Sequence, residues 1–212
     1  MGRNIPYKDL ARNIDLAARS FYNLGIRPGM RVLVCLPNVP QAVYCLYGLN
    51  LIGAVPCMIH PLSAIDEIVF YLNEGSCEMA VTLDQFYGKF LKVMEKRPVK
   101  KLVIARISQE LPFIKSVAYS LTTEIKFPAL RPDGVAITWK HFLKYADRPI
   151  EGRYAVEDKD INSEAVVLFS GGTTGTTKGI RLSDRNFNAM ALQTAVMSHE
   201  DVRHTRMLAA MP

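Results

Sequence analysis

The chain has 212 residues, of which 49% are apolar and 22% are charged, and its formal net charge is +6. These values lie near the averages of globular proteins and exclude a largely disordered, collagen-like or low-complexity chain. A chain of this length can remove about 70% of its unfolded surface from water, so it can build a core without disulfides or a metal.

The first half of the chain alternates predicted helices and strands. Apolar residues at helical spacing predict a helix over 10–24 that Gly25 ends. Such alternation, with helices of about ten residues or more, indicates an α/β fold with a mostly parallel sheet flanked by helices. The further predicted elements are strands over 31–36, 54–59, 78–83 and 101–105, and helices over 39–52, 63–75 (capped by Ser63, with Asp66 three residues on) and 84–97.

The second half is less regular. Residues 106–137 show no clean period, and residues 147–164 are polar and predict a connector. A buried strand over 164–169 then runs into a glycine-rich loop. The other predicted elements are a short helix from Thr138 to Ala146, an extended segment over 180–182, a helix capped by Ser183 and running to about His199, and a strand over 206–211.

The cysteines and the membrane signals favour a reduced, cytoplasmic protein. Cys35, Cys45, Cys57 and Cys77 form no CxxC pair or zinc-binding spacing, and each lies in an apolar segment. The stretch 32–65 lacks charged residues, but prolines and asparagines inside it argue against a membrane span. The N-terminus lacks the apolar core of a signal peptide.

Four aromatic residues and the histidines receive structural interpretations. The aromatic residues lie in apolar helical segments, so we expect them to pack in the core rather than to bind a ligand; they are Tyr44, Tyr47, Phe70 and Tyr71. The histidines show no HExxH spacing, and we predict no metal site.

A basic run covers residues 89–106, which contain seven Lys and Arg residues and one acidic residue, Glu95. A solvated helix face explains it better than a nucleic-acid site, because no aromatic platform or zinc spacing accompanies the run. The neighbouring segment 111–121 is apolar enough to lie on a membrane surface, so peripheral membrane contact through 89–121 stays open. A surface loop packed on the sheet is the favoured alternative.

The informative segment is the loop 169–179, which we predict to bind nucleotide phosphates. Its glycines leave backbone N–H groups free to face an anion, its hydroxyls offer further donors, and its lysine adds a full charge. A charged hydrogen bond contributes about 1.5–3 kcal/mol, so several converging donors favour a polyphosphate. The candidate residues are Ser170, Gly171, Gly172, Thr173, Thr174, Gly175, Thr176, Thr177, Lys178 and Gly179.

The order of residues in this loop excludes a Walker A motif, because Thr177 precedes Lys178 and Gly179 follows it. The string instead closely resembles the phosphate-binding signature of the adenylate-forming enzymes, which include acyl-CoA synthetases, luciferases and amino-acid adenylation domains. The turns at 25–32, 36–41 and 53–56 are also similar to segments of that family.

The resemblance implies the N-terminal part of the large domain of such an enzyme. We assign residues 1–150 to a first α/β subdomain and residues 151–212 to the start of a second, which carries the loop. The family's C-terminal domain, and with it the catalytic residues, is absent from this sequence. We expect the segment to be inactive alone.

For the whole enzyme the resemblance implies ATP, Mg²⁺ and coenzyme A as cofactors and co-substrates. It also implies a carboxylic acid as substrate, with fatty acids as the favoured class. The acid would attack the α-phosphate of ATP, releasing pyrophosphate, and the CoA thiol would then displace AMP. Thr173, Thr174 and Lys178 would clamp the β- and γ-phosphates. No nucleic-acid partner is expected.

Two alternatives stay open. One is a non-catalytic nucleotide-binding or interaction module, and the other is a different adenylate-forming enzyme, either an amino-acid adenylation domain or a luciferase-like enzyme. Four positions depart from the family pattern: Gly171 replaces Ser or Thr, Thr177 replaces Pro, Asp184 replaces His, and Met30 replaces the Asp of the turn at 25–32. We expect the first two to make the loop more flexible, and Asp184 to bring a negative charge near the phosphate site.

Overall fold

The computed structural model describes residues 4–110, 129–130, 133–170 and 177–198. Helices and strands alternate along these residues, and three short 3₁₀ turns accompany them. The helices are α1 (Tyr7–Asn23), α2 (Pro40–Leu51), α3 (Ile65–Glu74), α4 (Tyr87–Lys96), α5 (Trp139–Leu143) and α6 (Asp184–Ser198). The strands are β1 (Arg31–Cys35), β2 (Val55–Met58), β3 (Met79–Leu83), β4 (Lys101–Ala105), β5 (Ala136–Thr138), β6 (Glu164–Phe169) and β7 (Gly179–Ser183).

Within the described residues the strands form one seven-stranded sheet in the order β5-β4-β3-β1-β2-β6-β7. Every neighbouring pair is parallel except β6 and β7, which are antiparallel. The strands read as continuous apolar runs because both faces of a parallel sheet are covered. The predicted mostly parallel α/β sheet is therefore confirmed.

Helices cover both faces of the sheet, and each face has its own apolar core. On one face, α1, α2 and α5 pack against side chains such as Val34 and Val81. On the other, α3 and α4 pack against the alternate side chains, including Leu33 and Ala80. This alternation of side chains along each strand is what places both layers on the same sheet.

The start of α3 differs from the sequence prediction. The helix begins one residue later than a Ser63 cap requires, with Ala64 at the N-cap position. The Ala64 N–H donates to the Glu67 carboxylate at 2.7 Å, so Glu67, and not Asp66, supplies the acid that caps this end. Caps at the other two predicted positions are confirmed, because Thr138 accepts from the His141 N–H and Ser183 accepts from the Asn186 N–H.

The prediction for the four helical aromatic residues is half right. Tyr44 and Tyr71 are buried, whereas Tyr47 is 55% exposed and Phe70 is 41% exposed. An apolar helix that covers a sheet still turns part of its surface to water. Apolar sequence alone did not show which side that would be.

The strand β6 continues the sheet formed by the first half of the chain, since Cys57 and Met58 of β2 pair with Val167 and Leu168. The division into subdomains at residue 150 stays a prediction. The predicted strand over 206–211 and most of the segment 106–137 lie outside the described residues. No helix in the described part of the chain is long and apolar enough to span a membrane.

All four cysteines are free and buried, as predicted for reduced core residues. Burial raises the pKa of Cys35 from 9.0 to about 12, and burial also raises the pKa of Cys45. The folded chain therefore keeps thiol protons that the unfolded chain releases above about pH 9, so its stability falls as the pH rises from there towards 12.

We expect the free energy of unfolding, measured by urea titration, to be level from pH 7 to 8.5 and to fall above pH 9. The Cys35 and Cys45 thiols each contribute a slope of up to about 1.4 kcal/mol per pH unit. Cys45→Ala should make the fall above pH 9 less steep, and the free energy of unfolding should still be constant between pH 7 and 8.5. An identical slope in that variant would contradict the assignment.

Candidate phosphate-binding site

The predicted phosphate loop lies at the carboxyl edge of the sheet, where ligands bind in open α/β folds. It connects the end of β6 to the start of β7, with Phe169 paired to Gly179 in the antiparallel register. Because β2 and β6 run parallel side by side, the segment that follows β2 leaves the sheet at the same edge. Two loops, 59–64 and 170–178, therefore emerge next to each other.

Two hydrogen bonds close the base of the phosphate loop. The Ser170 N–H donates to the Lys178 carbonyl at 3.0 Å, and the Lys178 N–H donates to the Ser170 hydroxyl oxygen at 3.1 Å. The Ser170 hydroxyl thus accepts from the loop backbone. The Lys178 side chain is exposed, as a cation that receives a soluble anion must be.

An aromatic pair supports the loop from below. The Phe169 ring lies 4.3 Å from the Tyr71 ring, centroid to centroid, at an angle of 33°. Helix α3 therefore packs against the residue that ends the strand entering the loop.

The neighbouring loop is held by Lys89 of α4. Its ammonium donates to the carbonyls of Pro61 and Ser63, at 3.1 and 2.9 Å, and lies 5.2 Å from the centre of the Phe86 ring. Sequence analysis placed Lys89 on a solvated helix face, which is wrong for this residue. Its half-buried position depends on the fold, because its partners lie on another loop.

The expected position of Asp184 near the phosphate loop is wrong. Asp184 follows Ser183, which pairs with Glu164 at the start of β6, so it lies at the opposite end of β7 from the loop. Five residues of strand separate the two ends by about 15 Å. Its carboxylate also accepts from the Lys159 ammonium at 2.8 Å, which offsets its charge.

The described part of the chain brings together Ser170, Thr177, Lys178 and Gly179 of the ten predicted site residues. The other six, at 171–176, lie outside the described residues, and the phosphate-binding role of all ten stays a prediction. Sequence reasoning missed Tyr71 and Lys89 as supports of the site. The one signal in the sequence was that each lies in the helix that follows a strand ending at the carboxyl edge: Tyr71 in α3 after β2, and Lys89 in α4 after β3.

In the part of the chain that the structure describes, the remaining charged and metal-ligating side chains form no second centre. Among the described residues no group of three or more His, Cys, Asp or Glu side chains could hold a metal ion. Much of the basic run is paired: Lys96 with Asp66, Lys100 with Glu78, and Lys101 with the Gly134 carbonyl. The segment 111–121, which the membrane alternative requires, lies outside the described residues.

Relatives of known name match this chain over most of its length. It is 28% identical over 190 residues to a long-chain-fatty-acid–CoA ligase of Bacillus subtilis (strain 168), covering 89% of this chain and 33% of that protein. It is 27% identical over 184 residues to a crotonobetaine/carnitine–CoA ligase of Salmonella agona (strain SL483), covering 87% and 31%. The chain thus spans about a third of the length of these relatives.

Solved structures share the fold of this chain, and a family model covers its whole length. The apo structure of Mycobacterium smegmatis MbtA superposes with a TM-score of 0.70 at 25% identity, covering 94% of this chain and 33% of that one. An anthranilate CoA ligase, AuaEII, crystallised with anthranoyl-AMP, shares the fold with a TM-score of 0.69 at 15% identity. The model of the AMP-binding enzyme family matches residues 1–212. On this evidence the chain belongs to the AMP-binding enzymes, the adenylate-forming superfamily.

Proposed function

We propose that this chain supplies the nucleotide-phosphate site of an AMP-forming acid–CoA ligase. The observation that carries the proposal is the closed base of the loop at the carboxyl edge of β6, with the exposed Lys178 beside it. Hydroxyls, glycine amides and one lysine in a single loop are suited to the charge of a triphosphate.

The proposed reaction has two steps. The carboxylate of the acid attacks the α-phosphorus of ATP, forming an acyl-adenylate and expelling pyrophosphate. The thiolate of CoA then attacks the acyl carbon and expels AMP. The loop, including Lys178, would hold the β- and γ-phosphates and stabilise the charge that develops on the leaving pyrophosphate.

The choice of substrates rests on the named relatives. One is a fatty-acid–CoA ligase and another acts on crotonobetaine or carnitine, and both names specify CoA as the acceptor. We therefore propose CoA as the thiol and take long-chain fatty acids as the first acids to test. Mg²⁺ would enter bound to the phosphates of ATP, where it neutralises part of their charge.

The first test is ATP binding to the intact natural polypeptide by isothermal titration. Lys178→Ala should weaken MgATP binding about 10- to 100-fold, because a charge-assisted hydrogen bond contributes about 1.5–3 kcal/mol. Lys92→Ala is the matched control, because this lysine is exposed on α4. Unchanged ATP affinity in Lys178→Ala would contradict the proposed role of the loop.

A second measurement tests the reaction itself. Acid-dependent exchange of labelled pyrophosphate into ATP should occur with one or more members of a panel of fatty and amino acids. Exchange that depends on an amino acid would instead support an amino-acid adenylation domain. ATP binding with no exchange for any acid would support the non-catalytic nucleotide-binding module.

A further inference from the structure

An apolar pocket lies where helix α2 begins, away from the phosphate loop. Its volume is about 440 Å³, within the range of small-molecule sites, which is about 300–1,000 Å³. The side chains that line it belong to two stretches of the chain, 5–10 and 38–44. The apolar ones are Ile5, Leu10, Val39, Pro40, Ala42 and Val43, and Asn38 and Tyr44 complete the lining.

We propose that this pocket is a second ligand site, which takes an uncharged hydrocarbon chain that ends in a hydroxyl group. The proposal goes beyond the phosphate-binding function and does not depend on it. The pocket adjoins the end of β1, whereas the phosphate loop follows β6, and β2 lies between these strands in the sheet. Two strand spacings separate β1 from β6 by about 10 Å.

The order of the strands places the pocket where open α/β sheets bind ligands. Counted from β2, the first five strands have the order 2-1-3-4-5. The chain leaves β1 for α2 on one face of the sheet and leaves β3 for α4 on the other face. In such sheets, ligands bind beyond the carboxyl ends of the two neighbouring strands from which the chain departs in opposite directions. The pocket lies on the β1 side of that point.

The lining of the pocket selects a neutral, apolar ligand. Among the described residues that line it, none is charged, so an ion that entered would lose its water without gaining a counter-charge. Val43 is 38% exposed although it is apolar, and a hydrocarbon chain that covers it removes this surface from water. The exposed Asn38 side chain is an amide, which suits a hydroxyl group at the end of such a chain.

The packing of α1 against α2 forms the pocket without help from a ligand. At Gly48 the two helices are so close that a Cβ atom would lie 3.1 Å from the Ala18 backbone nitrogen. Nearer the pocket, the Tyr44 hydroxyl accepts from Asn13 Nδ2 at 3.3 Å, and Tyr44 is only 3% exposed. A pocket with fixed walls spends little binding free energy on ordering them.

The test is a titration of the intact natural polypeptide with 1-octanol, followed by NMR of its Ile, Leu and Val methyl groups. Val43→Asp places a carboxylate in the lining of the pocket at a site that is partly exposed already. Val156→Asp is the matched control, because Val156 is 37% exposed and lies outside the pocket. Tetraethylene glycol, a polar chain of similar length, is the control ligand.

We expect 1-octanol to shift the methyl signals of Ile5, Leu10, Val39 and Val43 in a saturable manner and to leave those of Val156 in place. Its affinity should exceed that of 1-hexanol about 10-fold, since two further CH₂ groups are buried. Val43→Asp should weaken binding about 10-fold or more, because the ligand would have to remove water from a carboxylate. Val156→Asp should bind as the parent does, and tetraethylene glycol should shift none of these signals.

Three results would each overturn the inference. The first is the absence of a saturable shift at the pocket methyl groups in the parent, which would mean that the pocket is closed or covered in the intact polypeptide. The second is equal weakening by Val43→Asp and Val156→Asp, or equal affinity for both alcohols. The third is a shift of the same signals when the parent alone is diluted, which would identify a second copy of the chain as the occupant. None of these results bears on ATP binding, so the proposed function is tested separately.

Discussion

Phe142→Ala is expected to lower the free energy of unfolding by about 3–5 kcal/mol, measured by urea denaturation. Phe142 is fully buried, and its ring lies 4.8 Å from that of Phe21 and 5.0 Å from that of Trp139. It joins the short helix α5 to α1 over one face of the sheet. Alanine would leave a cavity that these rigid aromatic rings cannot collapse to fill.

The control for this prediction is Phe70→Ala, which removes the same side chain from a site that is 41% exposed. Less apolar surface returns to water there, so we expect a loss of no more than about 1.5 kcal/mol. If the two variants lost similar stability, Phe142 would not be the anchor of α5.

Glu164→Gln is expected to lower the free energy of unfolding, measured by urea titration, by about 2–3 kcal/mol. The Glu164 carboxylate accepts from Arg31 Nε at 2.7 Å, from Arg31 Nη2 at 2.9 Å, and from Arg181 Nε at 2.9 Å. The side chains of Glu164 and Arg31 are 14% and 29% exposed, so the pair lies between surface and buried ion pairs in strength. The hydrogen bond from Arg31 to Glu164 is the main cause of the raised pKa of Arg31. Glutamine would leave this half-buried guanidinium without a counter-charge.

Glu78→Gln provides the matched control. Glu78 pairs with Lys100, but the two side chains are 45% and 75% exposed, so water and salt screen the pair. We expect its loss to change stability by less than about 0.5 kcal/mol in a urea titration. Equal effects of Glu164→Gln and Glu78→Gln would show that burial does not distinguish the two pairs.

Glu164 also matters for the site, because β6 carries it at one end and the phosphate loop at the other. Its ion pairs tie the start of β6 to β1 and β7. The parallel register with β2 then fixes where the strand ends, and hence where the loop leaves the sheet. A side chain at the amino edge thereby helps to position a site at the carboxyl edge.

The repeating part of the fold could be predicted from the sequence because both faces of its central strands are buried. Runs such as 31–35 and 101–105 are then apolar at almost every position, which distinguishes them from the amphipathic α1 and α4. The short strand Ala136–Thr138 was not predicted. Three residues at the sheet edge are too few to show any period.

Side-chain environments were predicted less well, since they depend on neighbours distant in sequence. Tyr47 and Phe70 lie in apolar helical segments but face water, whereas Lys89 lies in a basic run but binds two carbonyls. Asp184 is close to the loop in sequence, yet the antiparallel return of β7 places it at the other edge of the sheet.

The sequence by itself determined the α/β class and predicted an anion-binding loop, because glycines, hydroxyls and a lysine in one short segment need no distant partner to suit an anion. Only the tertiary structure decided what supports that loop. The contact of Tyr71 with Phe169 joins residues far apart along the chain. Such a contact arises from the packing of α3 beside β6, and no local pattern of residues encodes it.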